Sequence, residues 1–327
     1  MRRRDFITAL GSAVAMPLGA RAQQADHLRR IGFLSPNVVK SSVALANFQA
    51  FRAQLHEFGL SEGRNFNIDY KDIDDPRGLS VAVGELMQSR PDLIVAGGTE
   101  IVLQTVIAAK PTVPIVIIAI NYDPIARGYV ASLSRPGGNI TGVVFQQLEL
   151  AQKQVELLTQ AFPNRTRLAV LFDAQSSDQF VAAEGMATSL KLQVQPLKLE
   201  NPPYDFEAAF RSASAESAQM ALVLSSPFFA PHSSRISELA IAQRLPTMFI
   251  FKFYVDAGGL MSYGTDFPLM YRRAADHVAK ILRGAKPVDL PIEQATKFDL
   301  AVNLKTAKAI DVELPTSILL RANTVIE

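Results

Sequence analysis

The sequence predicts an α/β protein made of two doubly wound lobes joined by a hinge. Short runs rich in Ile, Val and Leu alternate with amphipathic stretches, the same alternation restarts after residue 142, and a turn-rich passage separates the two series. Continuous apolar strands separated by helices are typical of parallel sheets covered on both faces. Since domains average about 150 residues, the 327 residues suit two lobes.

The first series alternates strands and helices from residue 30 to residue 120. Strands are predicted at 30–35, 65–70, 92–96 and 115–120. The helices predicted between them are at 48–59, 78–89 and 99–109. In the first helix the apolar side chains share one face at helical spacing, at Phe48, Phe51, Leu55 and Phe58.

The second series repeats this alternation. Its strands are predicted at 167–172, 192–199, 220–225 and 247–251, and its helices at 148–161, 177–190, 205–216, 232–243 and 268–283. We therefore expect lobe 1 at 28–122 plus about 264–286, and lobe 2 at about 143–250 plus about 287–327. The hinge and crossover region is expected at 123–142 and 251–263, where Gly and Pro cluster.

The first 22 residues have the layout of a cleaved export signal. Three arginines precede an apolar stretch from Phe6 to Leu18, and the small-residue pattern Ala20-Arg21-Ala22 follows. The pair Arg3-Arg4 with the following residues resembles the twin-arginine motif. We expect residues 1–22 to be removed and the mature chain to reach the periplasm; the general secretion route is the alternative.

Composition excludes several classes of function. The chain has no cysteine, so disulfides, thiolate metal sites, a cysteine nucleophile and a thioether lipid anchor are absent. Lys and Arg number 33 against 31 Asp and Glu, a net charge of +2, whereas nucleic-acid binding usually needs a strongly basic surface. Residues 1–22 account for that excess. No nucleic-acid partner, metal or cofactor is expected.

The sequence contains no motif of a known catalytic class. G-x-S-x-G, the P-loop and H-E-x-x-H are all missing. No two of the four histidines are three or four residues apart, the spacing that would place both on one face of a helix. They are His27, His56, His232 and His277. We therefore predict no catalytic residue, although a site assembled only in the folded chain stays open.

Polar loops follow several predicted strands at their carboxyl ends, where open α/β sheets bind ligands. Gly98 and Thr99 stand at the start of a predicted helix. Glycine lets a ligand approach the backbone closely, and the free backbone amides at a helix start favour an anion. The alternative is that Thr99 is an ordinary N-cap residue. The other loops contribute Ser35, Pro36, Asn37, Tyr122, Asp123, Ser226 and Phe228. Together they would line a cleft for one small ligand with polar and apolar parts.

Long stretches of the chain carry a resemblance to a known family. They are RRIGFLSP at 29–36, AFRAQLHEFGLSEGRNFNIDY at 50–70, IVAGGT at 94–99, DPIARGYVASLSRPGGNITG at 123–142, AGGLMSYGTD at 257–266 and KILRGAKPVDLPIEQATKFDLAVNLKTAKA at 280–309. From about residue 30 onward the chain resembles the ABC-transporter solute-binding proteins of the tryptophan/tyrosine type. This family is a branch of the type I periplasmic-binding-protein fold.

The resemblance implies two Rossmann-like lobes, a multi-strand hinge, and a ligand captured between lobes that close over it. Family members with assigned ligands bind amino acids, often aromatic ones, and Asp266 joins the ligand loops by the same resemblance. Such binders commonly carry an aspartate where this chain has Ser226. Because a buried ammonium needs a carboxylate, Asp123 or Asp266 would have to supply it, and an amino-acid ligand is put in doubt.

The sequence therefore predicts an exported solute-binding protein of an ABC importer. It would be a monomer, soluble in the periplasm, that delivers an amino acid or a related small organic molecule to a transmembrane permease. Two alternatives stay open: a ligand-sensing receptor that feeds a signalling partner, and a secreted α/β hydrolase.

Overall fold

Two sheets organise the structure, a computed structural model that describes residues 28–35, 42–72, 78–145, 147–295 and 297–327. The elements of the first half are β1 (Arg29–Ser35), α1 (Ser42–Glu57), β2 (Phe66–Asp72), α2 (Leu79–Gln88), β3 (Leu93–Gly98), α3 (Glu100–Ala108), β4 (Ile115–Ile120) and β5 (Ile140–Phe145).

The chain continues with α4 (Leu148–Ala161), β6 (Arg167–Asp173), α5 (Ser177–Ser189), β7 (Gln193–Leu199), α6 (Phe206–Ala215), β8 (Met220–Val223), α7 (Ser233–Ala242), β9 (Thr247–Phe249), α8 (Lys252–Asp256) and β10 (Met261–Thr265). It ends with α9 (Phe267–Leu282), β11 (Glu293–Gln294), β12 (Phe298–Asn303), α10 (Leu304–Ala309), α11 (Thr316–Leu319) and β13 (Thr324–Ile326).

The first lobe is built on a parallel sheet in the order β11-β5-β4-β3-β1-β2. Its central strands are largely apolar and fully buried, as in β3 and β5, because helices cover both faces of the sheet. Helix α9 belongs to this lobe, since it packs against α1, β4 and β5. Asp266 begins that helix by accepting a hydrogen bond from the Leu269 amide at 3.1 Å.

The second lobe repeats the design with the order β13-β12-β10-β9-β8-β6-β7. The strands from β7 to β10 are parallel, β12 runs antiparallel to β10, and β13 pairs in parallel with β12. The two sheets, with parallel strands and helices, confirm the predicted α/β fold class. The strands and helices predicted from periodicity are present with shifted ends; α1 shows the largest shift, beginning at Ser42 instead of residue 48.

Sheet membership divides the chain differently from the predicted boundaries. The predicted start of lobe 2 at residue 143 falls inside β5, a strand of the first sheet, and β11 also joins that sheet. The chain passes between the sheets after β5, between β10 and α9, and between β11 and β12. Of the segments expected to form the hinge, 123–142 connects β4 to β5 and includes the first residues of β5, and 251–263 contains α8 and most of β10.

Candidate ligand-binding site

Each sheet has one position at which its strand order reverses. In the first sheet β1 lies between β2 and β3, and in the second sheet β6 lies between β7 and β8. Ligands of open α/β sheets bind at the carboxyl ends of the strands beside such a switch point. β1 ends at Ser35 and β3 at Gly98, while β6 ends at Asp173 and Ser226 follows β8. These four residues therefore mark the expected binding edges of the two lobes.

A cavity lies between the lobes at these strand ends, and we call it the interlobe cavity. Its enclosed volume is about 120 Å³, and about 760 Å³ when the open mouth is counted. Its polar lining comes from both lobes, at Ser35, Asn47, Thr99, Ser225, Ser226 and Tyr271. Among the described residues, no Asp, Glu, Lys, Arg or His lines it.

Aromatic side chains from the connecting segments form one wall of the interlobe cavity. Phe251 and Phe253 lie at the start of α8, and Phe267 begins α9. The rings of Phe251 and Phe267 meet edge to face with centroids 4.5 Å apart, and those of Phe251 and Phe253 are stacked at 5.5 Å. Because aromatic faces contact flat apolar groups favourably, this wall suits a ligand with an aromatic or apolar part.

The first-lobe wall holds Ser35 in a fixed position. Its hydroxyl and the Tyr271 hydroxyl are 3.1 Å apart, and the Tyr70 hydroxyl donates to the Ser35 carbonyl oxygen at 3.0 Å. Burial raises the pKa of Tyr271, so this phenol stays neutral at physiological pH. The wall presents hydroxyl groups without a formal charge.

Thr99 occupies the N-cap position of α3 but does not use its side chain as a cap. The backbone turns there through Gly98, whose φ of 132° disfavours any residue with a Cβ atom. The Thr99 hydroxyl makes no capping hydrogen bond, although threonine at this position usually makes one. Its hydroxyl and the unpaired amides at the start of α3 are therefore available to an acceptor group in the cavity.

Asn47 is a buried polar residue of α1 that lines the same cavity. Its side chain is 5% exposed and makes no hydrogen bond to any residue that the structure describes. Its polar atoms are not among the fully buried atoms that lack a partner, so the amide reaches the open space of the cavity. Such a group is expected where a ligand supplies the missing partner.

The second-lobe wall consists of Ser226 backed by Asp173. The Ser226 hydroxyl donates to the Asp173 carboxylate at 2.5 Å, and the Tyr204 hydroxyl donates to the same oxygen at 3.0 Å. Burial, and secondarily the charge of Asp173, raises the pKa of Tyr204 and of Tyr254. A negative charge therefore lies directly behind the neutral lining of this wall.

Comparison with known proteins assigns the chain to a family. The model of the family described as ABC transporter substrate binding protein matches residues 37–326. The chain belongs to this family. No helix among the described residues is long and apolar enough to cross a bilayer.

Known proteins similar to this substrate-binding protein include one curated relative and solved structures. The tyrosine-binding protein of Clostridioides difficile (strain R20291) is 23% identical over 279 residues, covering 81% of this chain and 76% of the relative. An ABC domain from Streptococcus pneumoniae, solved in complex with L-Trp, is 23% identical with a TM-score of 0.80 and covers 91% of this chain and 100% of that chain. A conserved domain protein from Vibrio cholerae O1 biovar eltor has the same identity and TM-score, with 91% and 99% coverage. The fold is that of a type I periplasmic binding protein.

Four of the residues predicted to bind ligand line the interlobe cavity of this substrate-binding protein, namely Ser35, Gly98, Thr99 and Ser226. Pro36 and Asn37 lie outside the described residues. Phe228 is partly buried behind this wall, where its ring meets Tyr204 at 6.3 Å.

Of the other predicted residues, Tyr122 and Asp123 lie away from the interlobe cavity, and Asp266 lies beside it. Tyr122 is buried in the first-lobe core against Tyr129. Asp123 accepts hydrogen bonds from the amides of Ile125 and Ala126, so it stabilises the turn after β4. Asp266 lines an adjoining cavity of about 970 Å³, which shares Asn47 and the three phenylalanines with the interlobe cavity.

Sequence reasoning missed Asn47, Asp173 and the aromatic wall. Asn47 lies one helical turn before Phe51 on the buried stripe of α1, and a polar residue within an apolar stripe is informative. Asp173 ends β6 as Ser35 ends β1. Ser35 was predicted as a site residue because ligands bind at the carboxyl ends of strands. The same rule indicates Asp173 when β6 is matched with β1 as the first strand of its lobe.

Proposed function

We propose that this substrate-binding protein is the exported component of an ABC importer that captures one small organic ligand between its lobes and delivers it to a membrane permease. The interlobe cavity carries the proposal, because residues of both lobes and of the connecting segments line it. A ligand that touches both lobes only when they are closed stabilises the closed state. Family membership favours this function over the hydrolase alternative.

The lining supports a ligand with an apolar body and polar ends, such as an amino acid, including an aromatic one. The aromatic wall contacts the apolar part, while Asn47, Thr99 and the start of α3 offer donors to a carboxylate. The relatives named for tyrosine and solved with L-Trp support the same class. Export depends on residues 1–22, which lie outside the described residues.

A ligand panel tests the proposed function. Purified protein is mixed with amino acids, aromatic acids, amines and sugars, and thermal unfolding is followed for each mixture. A ligand present at one hundred times its Kd stabilises the folded protein by about 2.7 kcal/mol, so one class should raise the melting temperature clearly. Calorimetry should then give one ligand per chain. A panel without any shift or heat would refute the proposal.

A hydrogen bond between described residues joins the two lobes across the cleft. Asn121, which follows β4, donates from its side-chain amide to the Asp178 carboxylate in the first turn of α5, at 3.1 Å and 3.3 Å to the two oxygens. Asn121 has a φ of 62°, a conformation that asparagine tolerates better than most residues. Because the bond needs both lobes close together, we expect it to stabilise the closed state.

Removing this interlobe hydrogen bond should accelerate ligand release. Asn121→Gly keeps the positive φ accessible, and Asp178→Ala removes the acceptor. For either variant we expect the dissociation rate of a bound ligand to rise about two- to tenfold, with little change in the association rate. Stopped-flow binding measures both rates.

The double variant should release ligand no faster than either single variant, because the two residues share one interaction. Glu184→Ala on the exposed face of α5 is the matched control, and its rates should equal those of the wild type. Additive effects of the two single variants would contradict a shared contact.

A further inference from the structure

A carboxylate without a cationic partner lies buried beside the cavity. Asp173 is 0% exposed. Its two oxygens accept four hydrogen bonds, from the Gln175 amide and from the hydroxyls of Ser176, Tyr204 and Ser226. Among the described residues, no Lys, Arg or His forms an ion pair with it.

A buried carboxylate of this kind is costly unless another charge compensates it. Hydrogen bonds from neutral donors lower that cost but leave the negative charge in place. Burial raises the pKa of Tyr204 and Tyr254, and the Asp173 charge adds to the shift at both phenols. Among the described residues, no side chain of the protein supplies the cation that would compensate this carboxylate.

Ser226 transmits this charge to the cavity lining. A serine hydroxyl has one proton and two acceptor sites. The proton is donated to Asp173, and one acceptor site takes the Phe228 amide at 3.2 Å. The remaining site can only accept, so a ligand group at Ser226 has to be a hydrogen-bond donor.

We propose that Asp173 is a positioning residue that determines specificity, because it holds Ser226 as an acceptor and so selects a ligand whose protonated amine lies against the second-lobe wall. This inference rests on the proposed function, since it needs a ligand in the interlobe cavity. The carboxylate that would balance the ligand's ammonium group is then Asp173, at the end of β6, since Ser226 carries no charge. Asp173, Asp123 and Asp266 all cap local structure, Asp173 at the short turn 174–176. Among the described residues, Asp173 is the one of the three that also accepts a hydrogen bond from Ser226 in the cavity lining.

Three matched probes test the inference: L-tryptophan, tryptamine and indole-3-propionate. They share one ring system and differ in whether they carry an amine, a carboxylate or both. The chain contains no tryptophan, so the indole fluorescence of each probe reports binding directly, and calorimetry with the ligand panel complements it. The wild-type protein should bind amine-bearing probes more tightly than indole-3-propionate.

Asp173→Asn keeps the shape of the side chain and removes its charge. We expect its preference for amine-bearing over amine-free probes to fall at least about tenfold, the usual effect of losing a charge-assisted hydrogen bond. Ser226→Ala, which leaves Asp173 in place, should lose the same preference even if Asp173→Asn does not fold. Tyr204→Phe removes a donor from the same carboxylate oxygen but spares Ser226, so the preference should persist.

The outcomes separate this inference from the proposed function. Equal weakening of all three probes in Asp173→Asn and Ser226→Ala would show a merely structural role and overturn the inference. A wild-type protein that binds only panel ligands without an amine would overturn it as well, while the proposed function would stand. A protein that binds none of the probes and nothing in the panel would refute both.

Discussion

Gly142→Ala should be the most destabilising small substitution in the first lobe. Gly142 lies in β5 opposite Ile117 of β4, with a φ of 136°. A Cβ atom there would lie 2.2 Å from the Ile117 carbonyl oxygen and 2.6 Å from its nitrogen, which backbone atoms cannot relieve without separating the strands. We expect a loss of about 4 kcal/mol or more in unfolding free energy, and a fall of about 10 °C in melting temperature. Circular dichroism during heating measures it.

Gly138→Ala is the matched control for this substitution. Gly138 lies in the turn just before β5, is exposed, and has no atom within 4 Å of an added Cβ. Its melting temperature should stay close to that of the wild type. If Gly142→Ala melted together with Gly138→Ala, the close approach of β5 to β4 would be wrong.

The same glycine lies at the end of the segment 123–142, which the sequence predicts as part of the hinge. Residues 135–142 contain Pro136, Gly137 and Gly138 just before Gly142, and such clusters usually mark turns. The turn is real, but Gly142 belongs to a buried strand, where the absence of a side chain serves close packing. The sequence shows that position 142 is a glycine. Its pairing with β4 in the structure shows that this glycine allows two strands to approach closely and does not form a turn.

The candidate site was predictable where its residues follow strands and unpredictable where they depend on packing. Ser35, Thr99 and Ser226 follow from the rule that ligands bind at carboxyl ends of strands. The aromatic wall lies at the ends of predicted elements and in α8, a short helix that periodicity did not assign, so nothing in the sequence brought its three rings together. Tyr122 and Asp123 satisfy the same rule but lie in the core and in a turn.

The two lobes share a topology but present different chemistry at their switch points. The first strand of each lobe ends in a polar residue, Ser35 in one and Asp173 in the other. Ser35 pairs with a neutral phenol, whereas Ser226 pairs with a buried carboxylate. The two walls of the cavity therefore suit different ligand groups. The start of α3 offers hydrogen-bond donors to an acceptor group of the ligand, and Ser226 offers an acceptor to a donor group.

Asn47→Leu should stabilise the ligand-free protein while it weakens ligand binding. The change removes an unpaired amide that is 5% exposed, keeps its approximate size, and replaces a weak helix former within α1. We expect the unfolding free energy to rise by about 0.5 kcal/mol, mainly because leucine is the better helix former. Affinity for the ligand found in the panel should fall about tenfold, because the ligand group that meets Asn47 would be buried without a partner. Thermal unfolding and calorimetry measure the two effects.

Gln49→Leu separates the role of the cavity from the role of the helix. Gln49 lies on the exposed face of α1 two residues further on. Its replacement introduces the same leucine with little change in helix propensity and without touching the cavity. It should leave affinity unchanged and raise stability less than Asn47→Leu. If Asn47→Leu destabilised the ligand-free protein and left affinity intact, the amide would have a structural partner, and the polar end of the ligand would have to lie elsewhere. The expected opposite signs would show that the stability cost of Asn47 is tolerated because the amide binds the ligand.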